Sequence, residues 1–445
     1  GVSLFIDRAI KVYEELLDDN FEEKEYPKYS EFMRENEEYL KSDSKKMLIV
    51  DGARQIGKSF IIRHVGQEMF ENFIEINMEE DKLSDRLFAD ATSVEKFYIA
   101  LSSFAGERMK ERDKTLVFID EIQAYPHLLT LVKFLMEDNR FRFIASGSLL
   151  GVTLQKTQSI PIGSIERVHM YPLDFEEFLW ANNVGELAID EMLNCFKKEE
   201  SLSEALHNRM MLLFRYYLMV GGLPEAVNVF VNEKNIVLVR NIHREIIDLY
   251  SNDAAKYEKE SSRKLKIQRI YKMIPSSLEN TKKRIVVKDI EGVKGKRTSD
   301  YQNEFEYLVS SGIALEIDAI SKPSFPLIQN AGKNLLKLYL NDVGLYTFLL
   351  YQNNIKPILD DMESINLGNV YENVVAQELK SHSHSLYYYD NKKVGEVDFL
   401  IDDYENLTVI PIEVKSGKDY QNHKALNRFM NIEEYNITKS VVLSN

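Results

Sequence analysis

The sequence predicts an α/β protein of several domains, and three observations carry that prediction. An apolar strand runs into a glycine-rich loop and a helix at "KKMLIVDGARQIGKSFIIRHVG". A second apolar strand ends in paired acids at "KTLVFIDEIQ", and near the end of the sequence two apolar runs flank the polar turn "DDYENL". At 445 residues there is room for about two to four domains with sizeable cores. A hydrophobic content of 44% and a charged content of 29% are those of an ordinary globular protein. The formal charge of −15 argues against a surface coated for nucleic acid, so any such binding is expected to be local. The single cysteine, Cys195, excludes an internal disulfide framework. No apolar stretch approaches the roughly 20 residues of a membrane span, and no charged-then-apolar leader opens the sequence. A cytoplasmic protein is therefore expected.

The first strand–loop–helix segment fits G-x-x-x-x-G-K-S/T in full, through Gly52, Ala53, Arg54, Gln55, Ile56, Gly57, Lys58 and Ser59, with Phe60 next on the helix. Glycines let backbone N–H groups wrap phosphates, and the helix points its positive end at them. Lys58 is expected to reach the β/γ-phosphates of ATP, and Ser59 to give an oxygen to Mg2+. Leu116 to Ile119 read as a buried parallel strand delivering Asp120 and Glu121 to the sheet's carboxyl end, where ligands bind. Asp120 is expected to hold Mg2+ and Glu121 to polarise the attacking water. A third strand, "FRFIASGSLL", places Ser146 where a polar group senses the γ-phosphate, although small polar residues often follow strands. Gly222, Leu223 and Pro224 mark a break between helices that either packs against adenine, through Pro224, or simply stops a helix.

From Glu258 to Asp300 the balance turns basic, with 13 lysines and arginines against 6 acids. The segment reads as helix, short strand "RIVVKDI", basic glycine turn, then helix, with "IALEIDAI" and "NLLKLYLND" as a wing. A helix-turn-helix of this kind sets one helix in the major groove while basic groups touch phosphates. The phosphate contacts would be Lys282, Lys283, Arg284, Lys294, Lys296 and Arg297. The same shape also serves for docking proteins, with the lysines solvating a face.

In the tail, the two apolar runs read as a hairpin. Glu413 and Lys415 flank one valine, so they share a face, and the hairpin can bring Asp398 alongside. Upstream, "LGNVYENVVAQELKSHS" has helical apolar spacing and carries Glu372. Carboxylates hold a hard divalent cation, which lowers the pKa of a water and stabilises charge on phosphate oxygens. Lys415 would orient that water or offset the developing charge. Asp398, Glu413 and Glu372 are thus candidate metal ligands and Lys415 a candidate catalytic group; a fold that keeps the carboxylates without cleaving is the other reading. Pro411 suits an edge strand. The histidines show no zinc-ligand spacing, with His382 and His384 placed in a loop.

The stretches "GARQIGKS", "FIDEIQ", "SGSLLG", "YPLDFEEFLWA", "GGLPEAV", "LYLNDVGLY", "GNVYENVVAQEL" and "EVDFLI…IEVKSGK" occur in order from about residue 46 to 420. Together they resemble prokaryotic AAA-type ATP-binding proteins whose C-terminal domain of unknown function looks like a restriction endonuclease. The resemblance implies an N-terminal helical segment (1–45), a P-loop AAA-type ATPase core (46–180) and a helical lid (181–255). It further implies a winged-helix-like domain (256–345) and a restriction-endonuclease-like α/β domain (346–445). Many relatives carry an arginine after the glycine of "IPIGSIERV", where this sequence has Ser164; Arg167 follows, and no arginine finger is assigned. The expected function is ATP binding and hydrolysis directed at DNA, with a homo-oligomer formed through the ATPase domain and nucleotide state controlling the tail. The rival is a nucleotide-switched regulator or docking protein whose nuclease-like domain is inactive.

Overall fold

The computed structural model describes residues 30–42, 44–156, 162–257, 261–280, 283–293, 295–359, 367–416 and 423–444. The described residues divide into two compact units, one within 30–171 with 310–312, the other within 172–309 and 313–444. Of the expected N-terminal helical segment, residues 1–29 and 43 lie outside the described residues, and α1 (Ser30–Lys41) lies between them.

The first unit is built on a parallel sheet. Its strands are β1 (Met47–Asp51), β2 (Asn72–Asn77), β3 (Thr115–Asp120), β4 (Arg142–Gly147) and β5 (Ile165–His169), in the order β2-β3-β4-β1-β5. Every neighbouring pair is parallel. β1 and β3 are buried at every position, as continuous apolar runs between helices must be. Helices α2 (Lys58–Met69), α3 (Val94–Ala105) and α4 (Pro126–Asp138) supply the crossovers. Phe97, Phe88, Phe143, Leu129 and Val132 fill the core against Val117 and Ile119 of β3. β1, β3 and β4 all end at the same edge, which brings the loop after Asp51, the acids after Ile119 and Ser146 together.

The second unit holds the helices α5 (Phe175–Ala181), α6 (Glu204–Val220), α7 (Pro224–Glu233), α8 (Ile236–Tyr257), α9 (Ser261–Leu278), α10 (Gln302–Ser310), α11 (Val343–Tyr351) and α12 (Gly368–Ser381). It also holds a sheet of β6 (Ala314–Ile320), β7 (Ala331–Leu340), β8 (Tyr387–Asn391), β9 (Gly395–Asp403), β10 (Thr408–Val414) and β11 (Val441–Leu443). The strand order is β11-β10-β9-β8-β6-β7. β9 and β10 are the expected hairpin, antiparallel from Thr408 opposite Asp403 to Ile412 opposite Phe399.

Three expectations differ here. The strand expected at "RIVVKDI" is a short helix, Val287–Glu291, closed by Gly292 in the left-handed region at φ 73°. The two strands expected to form a wing, β6 and β7, pair with each other and join the tail's sheet, since β6 runs parallel to β8 from Asp318 opposite Tyr387. Leu315, Ile317, Ile320, Leu338 and Leu340 of these strands are buried there. Pro411 lies on an interior strand, flanked by β9 and β11. The β11 ladder starts at Ile412, one residue later, so the missing N–H falls where that flank of β10 is still open.

Candidate functional site

The loop after β1 takes its shape from left-handed backbone. Gly52 (φ 136°), Gln55 (φ 64°) and Gly57 (φ 95°) all have positive φ, and a Cβ on Gly52 would sit 2.4 Å from the Met170 carbonyl oxygen. Ala53 and Ile56 are buried, so they enter as backbone, whereas Phe60 projects outward. Lys58 is buried and donates to the carbonyls of Gly52 (3.1 Å) and Ala53 (2.6 Å). Burial pulls its ammonium down to about 8, against the pull of Glu121, Asp120 and Asp51. Arg54 donates to the Ser148 hydroxyl at 3.2 Å.

Ser59 Oγ lies 3.1 Å from both oxygens of Asp120, and Ser146 Oγ donates to the same carboxylate. Burial raises Asp120 above the usual carboxylate range, with Glu121's charge adding and the two serines opposing. Glu121 sits at φ 52° and its Oε2 accepts from the N–H (3.2 Å) and hydroxyl (2.9 Å) of Ser148 and from Gln123. Burial alone would raise this acid; Lys58, Gln123 and Arg54 hold it below its ordinary value, so it is an anion at neutral pH. Ser59 and Asp120 are a convergent hard-oxygen pair that fits Mg2+, whose charge would offset that of the phosphates. Lys58 would face the β/γ-phosphates, Glu121 would hold a water's proton, and Ser146 would fix Asp120. Glu121 must first exchange its Ser148 contact for that water.

Asp51 is a buried carboxylate that sequence reasoning missed, although it immediately precedes Gly52. It accepts from Arg167 Nε at 2.7 Å and meets His169 Nδ1 at 2.9 Å. Arg167 is thereby committed to its own unit's loop base.

Gly222 and Pro224 belong to the second unit. A Cβ on Gly222 would fall 1.8 Å from the Leu173 carbonyl oxygen, and Gly222 N–H donates to Asp342 at 2.7 Å. Pro224 opens α7 at its first turn, where a missing N–H costs nothing.

The tail site gathers around α12. Glu372 is buried on this helix, Glu396 and Asp398 project from one face of β9, and oxygens of all three lie within 4.8 Å of one another. Asp398 accepts from Val414 N–H at 2.8 Å, tying β9 to β10. Glu413 receives Lys415 Nζ at 2.6 Å, and its other oxygen is buried with no hydrogen-bond partner. The carboxylate cluster thus contains Glu372 and Asp398 with Glu396, while Glu413 stands beside it in a pair with Lys415. Burial, Glu372 and Glu413 push Asp398 up to about 7, against the pull of Lys283. Three converging carboxylates and an orphaned fourth oxygen fit a hard divalent cation. Held there, the cation would supply Lewis acidity and an acidified water.

Two lysines enter this cluster. Lys283 Nζ lies 2.5 Å from Glu372, 3.4 Å from Asp398 and 3.8 Å from Glu396. Lys337, fully buried on β7, lies 2.8 Å from Glu396 and 3.5 Å from Glu372. Burial would lower both ammonium groups, but the carboxylates raise them above their ordinary value; burial would raise Glu372, and the two lysines hold it below its own. Lys283 was expected on phosphate, and the structure turns it inward, through a left-handed backbone at φ 45°. Arg284, expected on phosphate too, pairs with Asp390 at 2.5 Å and lies over the Tyr388 ring. Lys296 and Arg297 are exposed, and Lys282 and Lys294 lie outside the described residues. Glu396 and Lys337 were missed: the signals were an acid two residues before Asp398 and a lysine in an apolar strand. His382 lies in the turn that follows α12, as expected, and pairs with Asp174 at 3.1 Å.

The loop, the paired acids and the parallel sheet define the class of the first unit, a P-loop ATPase domain. Such domains use nucleotide, usually with Mg2+. Residues 44–179 match the family model described as an AAA domain. Residues 211–356 and 367–445 match two further models, each described as a domain of unknown function (DUF8612 and DUF4143). An uncharacterized protein of Methanocaldococcus jannaschii is 26% identical over 205 residues, 43% of this chain and 41% of that protein, so the match spans about two fifths of the relative's length. A Walker-type ATPase of Pyrococcus abyssi aligns at 15% identity over 72% of this chain and 95% of that one, with a TM-score of 0.45, a similarity too low to argue from. Among the described residues, no helix is long and apolar enough to cross a membrane.

Proposed function

We propose that this chain hydrolyses ATP and acts on DNA, with its nuclease-like tail governed by nucleotide state. The observation that carries the reading is the convergence of Lys58, Ser59, Asp120 and Glu121 at one sheet edge, all four with chemistry suited to Mg·ATP. The tail reading draws support from Glu372, Glu396 and Asp398, with Glu413 and Lys415 on the adjoining strand. DNA as the target draws support from the basic segment, where Lys296 and Arg297 face solvent. The test is incubation of DNA with Mn2+ and ATP. The parent is expected to cut it, Asp398→Ala to leave it intact while still hydrolysing ATP, and Lys58→Ala to lose both activities.

A second reading, a nucleotide-switched regulator with an inactive tail, is favoured by one observation: Lys283 and Lys337 already neutralise much of the carboxylate charge. Intact DNA in the presence of undiminished ATP turnover by the parent would select it.

A further inference from the structure

We propose that Lys283 is a built-in competitor for the cation at the Glu372–Glu396–Asp398 cluster, so that a divalent ion binds only as this ammonium withdraws. The inference rests on the reading of that cluster as a metal site. Ionised, as ligands to a cation must be, the three carboxylates carry −3, and Lys283 with Lys337 returns +2, leaving −1. With a divalent cation in place of Lys283, the charges of the carboxylates, the ion and Lys337 cancel. Adding the cation while both lysines stay would leave excess positive charge in a buried site, which is costly. One lysine must leave.

The two lysines are not equivalent. Lys337 is fully buried within β7, and its ammonium lies over the rings of Tyr339 (5.3 Å) and Tyr388 (5.2 Å). It is fixed by the sheet. Lys283 lies outside any helix or strand, its side chain is 26% exposed, and it has a path to solvent. It also sits in the left-handed region at φ 45°, closing a turn onto the Asn280 carbonyl at 2.8 Å. Withdrawal of the Lys283 side chain would uncover three oxygens. The resulting device keeps the carboxylates folded and neutralised until the ammonium is drawn elsewhere.

The experiment is calorimetric titration of Mn2+ into the nucleotide-free full chain, with thermal melts run beside it to confirm folding. The parent should bind weakly, and Lys283→Ala at least about tenfold more tightly, because a competing charge within hydrogen-bond reach has gone. Lys283→Gln, which keeps the length and can still hydrogen-bond, should tighten binding too, while Lys283→Arg should stay near the parent. Adding Asp398→Asn to Lys283→Ala should remove the gained site, which separates it from any Mn2+ bound at Ser59 and Asp120. Equal, Asp398-dependent affinity in parent, Lys283→Ala and Lys283→Gln would overturn the competitor while leaving the metal reading intact. No Asp398-dependent Mn2+ binding at millimolar concentration in any folded variant would overturn the metal reading and the competitor with it.

Discussion

Removing the Lys337 ammonium should destabilise the second unit about as much as a large loss of apolar packing there. Lys337 is fully buried and lies 2.8 Å from Glu396 and 3.5 Å from Glu372. At 2.8 Å, with an effective dielectric near 20, each unit of opposite charge is worth about 6 kcal/mol before desolvation is subtracted. Breaking a buried pair by deleting one partner costs about 3–5 kcal/mol, because the carboxylates left behind are here compensated by Lys283 alone. Lys337→Met keeps the volume and removes the charge, so the cost should fall in that range. The single tryptophan, Trp180, lies on α5 of the same unit, so its fluorescence reports that unit's unfolding. At a urea m-value of about 3 kcal/mol/M, the midpoint should fall by about 1 M or more. Adding Glu396→Gln removes one of the excess negative charges and should recover about 0.5–3 kcal/mol, the coupling expected of contacting residues. A loss below about 1 kcal/mol for Lys337→Met, or no recovery in the double variant, would refute the claim that this lysine holds the carboxylates in place.

Three further outcomes follow from the same geometry. Asp398 titrates near 7 in the folded chain and near 4 when unfolded, so the native state holds the extra proton; in cation-free buffer its contribution is full below about pH 4 and is lost as pH rises through 7, and Asp398→Asn should flatten that decline in urea midpoint. Gly222→Ala would place a Cβ 1.8 Å from the Leu173 carbonyl, so calorimetry should show a lower melting temperature, at a cost of several kcal/mol if the backbone cannot shift. Replacing Lys296 and Arg297 by alanine should weaken DNA binding across all sequences and flatten its log–log salt slope by up to about 0.9 per lost contact; an unchanged slope would make the segment a protein-docking surface.

The parts legible in the sequence were those whose chemistry is local. A phosphate loop needs glycines at fixed offsets, and a parallel strand must be apolar throughout, so β1, its loop and β3 could be placed from spacing alone. The β9–β10 hairpin was legible because its turn is polar and its flanks are apolar. What was hidden depends on contacts distant in the chain. Lys283 reads as one more surface lysine in a basic run, and only the fold brings it 89 residues along the chain to Glu372. β6 and β7 look the same as a wing or as the edge of a sheet, since strand pattern does not name the partner. Lys337 and Glu396 gave weak signals, each a charge in an apolar strand, and their meaning rests on one another.

The most direct test of the central claim is steady-state ATP hydrolysis by the parent and Glu121→Gln, with nucleotide binding measured alongside. Glu121 is an anion beside Lys58 at the edge of the sheet, and loss of such a base costs about 10²–10⁴ in rate. The account predicts that Glu121→Gln binds ATP as the parent does and turns it over at least about a hundredfold more slowly. Turnover at the parent rate by Glu121→Gln would contradict it.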